Sequence, residues 1–132
     1  MQGRRYNMNQ NRSKTTSGFL IDAIVEGVRR KKGEGIIDLD LDETGNTECS
    51  HYIICHGNSN TQVEAIARSV EETVEEITGE NVWHSDGYRN AQWILLDYCD
   101  VMVHIFQKDY RLHYNLESLW ADSKLKSFQS DL

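Results

Sequence analysis

Proline is absent from the 132 residues, and cysteine occurs only at Cys49, Cys55 and Cys99. An odd cysteine count without a C-x-x-C pair excludes a disulfide framework and a thiolate zinc site, and fits a reducing compartment. No run of about 18 apolar residues exists, which excludes a membrane-spanning helix. The opening MQGRRYNMNQNRSK lacks the apolar centre of a secretory signal. We read residues 1–16 as a disordered polar lead and expect a cytoplasmic protein. Basic charge is scarce where the folded body should lie. Residues 1–32 hold eight basic side chains against Asp22 and Glu26, a net of +6, whereas residues 33–132 hold six basic against nineteen acidic, a net of −13. That deficit argues against broad binding to a phosphate backbone, which depends on Lys and Arg displacing counterions. It fits a basic protein partner.

The remaining composition is globular, with 39 % hydrophobic residues, three Trp and six Tyr. A chain of this length forms one domain and buries roughly two-thirds of its unfolded surface. Phe19, Leu20, Ile24, Val25 and Val28 recur at helical spacing, and Arg29–Lys32 followed by Gly33 make a basic last turn and a stop. The predicted helix spans 17–32. In IIDLDL the apolar Ile37, Leu39 and Leu41 alternate with Asp38, Asp40 and Asp42, the pattern of a half-exposed edge strand. Tyr52–His56 reads as a buried strand ended by Gly57. Thr61 and Glu64 fit a capping box, and Val63, Ile66, Ala67, Val70, Val74 and Ile77 define the clearest helix, closed by Gly79. Its outer face carries Glu71, Glu72, Glu75 and Glu76.

A short strand is expected at 81–84, then two strong strands at Trp93–Tyr98 and Val101–Phe106 joined by a tight turn at Cys99-Asp100. The last segment reads as helical in two pieces, with Leu112, Leu116, Leu119 and Trp120 inward. The expected architecture is a single α/β domain: a mixed five-stranded sheet, two main helices and a short C-terminal helical segment. WILLDY and VMVHIF are apolar on both faces, so both faces of that hairpin need cover. Either the terminal segment supplies it, or an aromatic area stays open and marks a partner site.

Several patterns touch on catalysis. Asp38, Asp40 and Asp42 resemble paired carboxylates that hold magnesium in phosphoryl transfer, although a charged edge-strand face is the simpler reading. Gly57-Asn58-Ser59 between strand and helix could cradle phosphate on backbone N–H groups. It lacks the glycines and Lys of a P-loop, and a turn with a helix cap explains it. Strand, Gly-x-Ser, helix also opens nucleotidyltransferase folds, but the aspartates here lie upstream where that family has them downstream. A magnesium-dependent nucleotidyltransferase-like enzyme using the Gly57–Thr61 loop and the Asp38/Asp40/Asp42 face is therefore the rival reading. His51, His56, His84, His104 and His113 are scattered with no metal-ligand spacing. We expect no cofactor and no metal.

Asp86-Gly87, Trp93, Asp97-Tyr98, Asp100, Val103-His104-Ile105-Phe106, Arg111, Tyr114, Leu116-Glu117 and Leu119-Trp120, with Gly57, Ser59 and Gln62 upstream, form a specific constellation. It closely resembles the ribosomal silencing factor family, also called RsfS or Iojap. The likeness covers residues 18–126, giving an expected family domain at 17–126 and a flexible tail at 127–132. Cys99 stands where the family has its hairpin glycine, which argues against a turn needing φ > 0 there. The resemblance implies a nucleotidyltransferase-like fold without transferase catalysis. It also implies binding to the large ribosomal subunit through ribosomal protein L-fourteen, interference with subunit joining and repression of translation. It makes a homodimer in the free state plausible. The expected contact residues are Trp93, Leu95, Asp97, Tyr98 and Asp100, an aromatic centre flanked by carboxylates. His104, Tyr114, Glu117 and Trp120 fit a core or a partner-binding role equally. The basic N-terminal segment is a source of minor contact with ribosomal RNA.

Overall fold

Two helices owe their pairing to one small residue. α1 (Asn9–Arg30) crosses α2 (Asn60–Thr78) at Gly27, where any Cβ would stand 2.7 Å from the Val70 Cα. The contact is sealed by the buried Ser69 hydroxyl, which donates to the Gly27 carbonyl at 2.7 Å. The structure, a computed structural model, describes residues 9–41, 49–119 and 124–130. α1 begins well before the expected start at Ser17, because Asn9–Thr16 contains nothing that stops a helical turn. Residues 9–16 are thus helical, whereas a disordered lead was expected. Phe19, assigned inward by spacing, is half exposed.

The strands are β1 (Glu34–Asp40), β2 (His51–Gly57), β3 (His84–Asp86), β4 (Trp93–Asp97), β5 (Val101–Gln107) and β6 (Lys124–Phe128). They form one mixed sheet of six strands in the order β3-β4-β5-β2-β1-β6. Among the described strands only the β2–β5 pair is parallel. The α/β class and mixed sheet match expectation, but the strand count is six, since β6 returns antiparallel to β1 with Asp38 opposite Lys126. β1 is therefore an interior strand and no longer an edge, and Ser127 and Phe128 belong to a strand where a flexible tail was expected. The third strand lies at 84–86, later than the predicted 81–84, because its register is set by β4, with His84 opposite Asp97.

Period-two alternation sends each strand's side chains to two different environments. On one face Ile36, Ile53, Cys55, Ile94, Leu96, Val101, Val103 and Ile105 pack under α1 and α2. On the other, Ile37, Leu39, Leu41, Ile54 and Phe106 form a smaller cluster with Tyr52, Trp93, Tyr110 and Leu116. α3 (Lys108–Tyr114) and the single turn α4 (Leu116–Leu119) cover only part of this second face. Arg111 anchors α3. Its buried guanidinium donates through Nη1 to the Gly35 carbonyl at 2.7 Å and to His56 Nδ1 at 2.9 Å. Gly35, with φ 61°, sits in the irregular stretch of β1 and leaves room for that guanidinium, which lies 2.4 Å from where a Cβ would be. Leu112, expected inward, is 72 % exposed. Trp120 lies outside the described residues.

Candidate functional site

β4 is half covered on the second face, and its residues alternate accordingly. Ile94 and Leu96 are fully buried under the helices, while Trp93, Leu95 and Asp97 point to the opposite side and are half buried. Three of the five expected contact residues are thus brought together. Tyr98 is not with them. It is 5 % exposed and packs in the helix-side core, where burial raises its pKa and its hydroxyl has no partner among the described residues. Strand parity is the cause, since neighbours along a chain face opposite ways.

Around Trp93 the register assembles further aromatic groups. Phe106 lies directly across from it and stacks at 4.9 Å between ring centroids, and Tyr114 approaches from α3 at 4.8 Å. Leu95 stands opposite His104, whose ring meets Tyr52 edge-on at 4.6 Å. The Trp93 indole N–H donates to His104 Nδ1 at 3.1 Å. His104 is 5 % exposed, and burial lowers its pKa to about 4, so the ring is neutral and able to accept that bond. Tyr114 is exposed at the margin. Tyr52 and Met102 lie on this face by parity and were missed in the sequence; the signal was the alternation of β2 and β5 once their pairing is known. Glu117 belongs to α4, and Trp120 falls outside the described residues.

The turn after β4 is a three-residue γ-turn. Asp100 N donates to the Tyr98 carbonyl at 3.0 Å across Cys99, which has φ 75°. The positive φ argued against from the Cys99 substitution is therefore present, with a side chain where glycine would be relaxed. Asp97 offsets part of that strain, its Oδ1 accepting from Cys99 N at 2.7 Å. The Asp100 side chain is exposed at the tip, while its carbonyl accepts from Ser50 and His51.

The residues of the rival catalytic reading do not converge. Asp38 lies opposite Ile53 and Asp40 opposite His51, which places them about 13 and 20 Å along β2 from Gly57 at roughly 3.3 Å per residue. Asp38 is buried and bonded to His51 Nδ1 at 2.8 Å, and Asp42 is outside the described residues. At the other end, the N-cap of α2 is Ser59, two residues earlier than the expected Thr61 box. Its hydroxyl accepts from Gln62 N at 3.1 Å, and Gln62 Oε1 accepts from Asn58 N at 2.8 Å. Gln62 Nε2 then donates to the Lys31 and Lys32 carbonyls, both at 3.1 Å. The Gly-x-Ser-x-x-Gln pattern thus clamps the end of α1 onto the start of α2 and occupies the loop's Asn58 and Gln62 amides.

Thiol chemistry is equally muted. Burial pushes Cys49 up to about 11 and Cys55 up to about 12, and also raises Cys99, so all three are protonated at neutral pH. Among the described residues no three His, Cys, Asp or Glu side chains gather as metal ligands. The acidic face of α2 is partly spent inside the fold: Glu76 pairs with Arg30 at 3.0 Å, and Glu71 accepts from the Tyr88 hydroxyl. None of the described helices is long and apolar enough to cross a membrane.

The fold and site define a class: a mixed α/β domain whose distinctive exposed chemistry is an aromatic sheet face flanked by carboxylates. The family model "Ribosomal silencing factor during starvation" matches residues 13–131, and the chain belongs to that family. It is 44 % identical over 95 residues to the ribosomal silencing factor RsfS of Bacillus subtilis, covering 72 % of this chain and 79 % of the relative. The RsfS of Halalkalibacterium halodurans is 39 % identical over 104 residues, covering 79 % of this chain and 87 % of its own length. A crystal structure of a Chromobacterium violaceum protein superposes with a TM-score of 0.73 at 32 % identity, covering 77 % of this chain and 83 % of that one. The Bacillus subtilis and Halalkalibacterium halodurans relatives are both named as silencing factors.

Proposed function

We propose that this protein represses translation by steric exclusion: it docks on the large ribosomal subunit through ribosomal protein L-fourteen and blocks joining of the small subunit. The observation that carries this reading is the half-open aromatic face of Trp93, Leu95 and Asp97 in a member of the silencing factor family. Trp93 and Leu95 supply apolar area to desolvate at the centre of a contact. Asp97, and Asp100 at the turn tip, complement basic groups of a ribosomal protein, and the −13 of residues 33–132 steers the encounter. Tyr98 supports the face from below by packing in the core. Tyr114 sits at the rim, and Glu117 and Trp120 are included as contact residues in the same proposal. The basic run Arg29–Lys32 offers minor contact with ribosomal RNA, the free protein forms a homodimer, and its place of action is the cytoplasm.

Co-sedimentation of the full chain with purified large subunits, followed by a subunit-joining assay, tests this directly. We expect stoichiometric pelleting with large subunits and loss of joining at saturation. Failure to pellet, or unimpaired joining at saturation, overturns it.

A further inference from the structure

A tryptophan on an open sheet face has two rotatable bonds, and an anchor that must be ordered on docking loses affinity. In this fold the Trp93 indole is held before any partner arrives. Phe106 and Tyr114 flank the ring, but stacking alone leaves the ring free to slide or flip. The polar hold comes from His104, whose Nδ1 accepts from the indole N–H at 3.1 Å. The two residues are diagonal neighbours across β4 and β5, since Trp93 faces Phe106 and Leu95 faces His104. With Nδ1 accepting, the single ring proton sits on Nε2. That Nε2 is buried and has no partner among the described residues. Cores rarely leave a buried donor unsatisfied, and an apolar ring at this position would avoid the cost.

We propose that His104 is a positioning residue: its Nδ1 fixes the Trp93 indole in the orientation used for docking, and the unpartnered Nε2–H is the cost of that hold. The inference rests on the reading that Trp93 meets the ribosomal partner, and it concerns a residue that does not touch the partner itself. It separates two properties that usually move together. An apolar ring at position 104 should leave the fold equally or more stable while weakening docking.

The test uses the full-length chain. Exchange of the Trp93 indole proton is measured by NMR against that of Trp83, which is 73 % exposed and serves as the reference. We expect exchange at least tenfold slower at Trp93 in the wild type, equalised in His104→Phe and preserved in His104→Asn, whose Oδ1 can replace Nδ1 as acceptor. His104→Phe should unfold at the same or higher urea concentration, yet bind large subunits about tenfold more weakly, the worth of one hydrogen bond. His104→Asn should bind within about threefold of wild type, as expected when the acceptor is kept. Fast wild-type exchange at Trp93 overturns the proposal even if His104→Phe does not fold. So does weak binding by His104→Asn with slow exchange preserved. Normal binding by His104→Phe, with binding lost in Trp93→Ala, overturns the positioning role and leaves the docking reading intact. Normal binding by Trp93→Ala instead overturns the docking reading, and the positioning role with it.

Discussion

The two faces of the sheet are made from the same strands and obey different packing rules. Under α1 and α2 the residues are aliphatic and dry, with Ile24, Ile66, Ile94 and Leu96 fully buried. Beneath α3 the buried Ile37, Leu39, Leu41, Ile54 and Phe106 are joined by the partly exposed aromatics Tyr52, Trp93 and Tyr110 and by the deeply buried His104. The first face follows the close-packing logic of a core, where shape complementarity supplies stability. The second keeps a Trp half open, a histidine with an unpartnered donor, and a γ-turn with a cysteine at positive φ at its edge. The strained turn lies at the edge of the second face, while each face holds one buried polar atom without a partner among the described residues, Tyr98 Oη under the helices and His104 Nε2 beneath α3.

The largest effect that would break this contrast comes from the dry face. Ile66→Ala should cost about 3–4 kcal/mol of stability, through lost transfer energy and an uncollapsed cavity, as measured by urea unfolding. Leu95→Ala on the second face should cost less, about 1–2 kcal/mol, because its side chain is already partly exposed in the native state. A comparable loss at both positions would erase the distinction.

Acidification probes the second face next. His104 is neutral when folded, with its pKa down at about 4, while in the unfolded chain it protonates near 6.5. The unfolded state therefore binds the extra proton first, and stability falls as pH drops from about 6.5 towards 4, by on the order of 3 kcal/mol at the limit. His56, also lowered by burial and by Arg111, adds in the same direction. Urea midpoints at pH 7 and pH 4.5 should separate by less in His104→Phe than in the wild type.

Trp93→Ala should weaken large-subunit binding at least thirtyfold, about 2 kcal/mol for a central anchor. Tyr98→Phe should leave binding unchanged and stability equal or higher, because the hydroxyl it removes is buried without a partner. Co-sedimentation titrations of the two variants distinguish two residues of one short segment that face opposite ways. The smallest effect lies at the turn. Cys99→Gly should raise stability by about 1 kcal/mol by relaxing φ 75°, read as a shift in urea midpoint with binding retained.

The elements legible in the sequence were those with strong local periodicity. α2 followed from Val63, Ile66, Ala67, Val70 and Val74 at spacings of three and four, and β4 and β5 from two apolar runs. β6 was not legible, because KLKSF carries too few apolar residues to stand out. It is a strand because Ile36–Asp40 offers it a ladder. That pairing turned Asp38 from the expected solvated carboxylate into a buried partner of His51. The site was legible in part. The spacing of Trp93, Leu95 and Asp97 put them on one face, whereas Tyr98 next to Asp97 could not share it.

By itself the sequence determined the α/β class, the main helices and strands, the acidic body and, through a specific set of residues, the family. These depend on composition and local periodicity, which a linear string records. Only the tertiary structure decided which face of β4 is open, that His104 reaches Trp93, that Gln62 clamps α1 to α2, and that the Asp38 face and the Gly57 loop lie far apart. Each of these depends on contacts between residues distant in the chain, and alternation specifies two faces without saying which one the helices will cover.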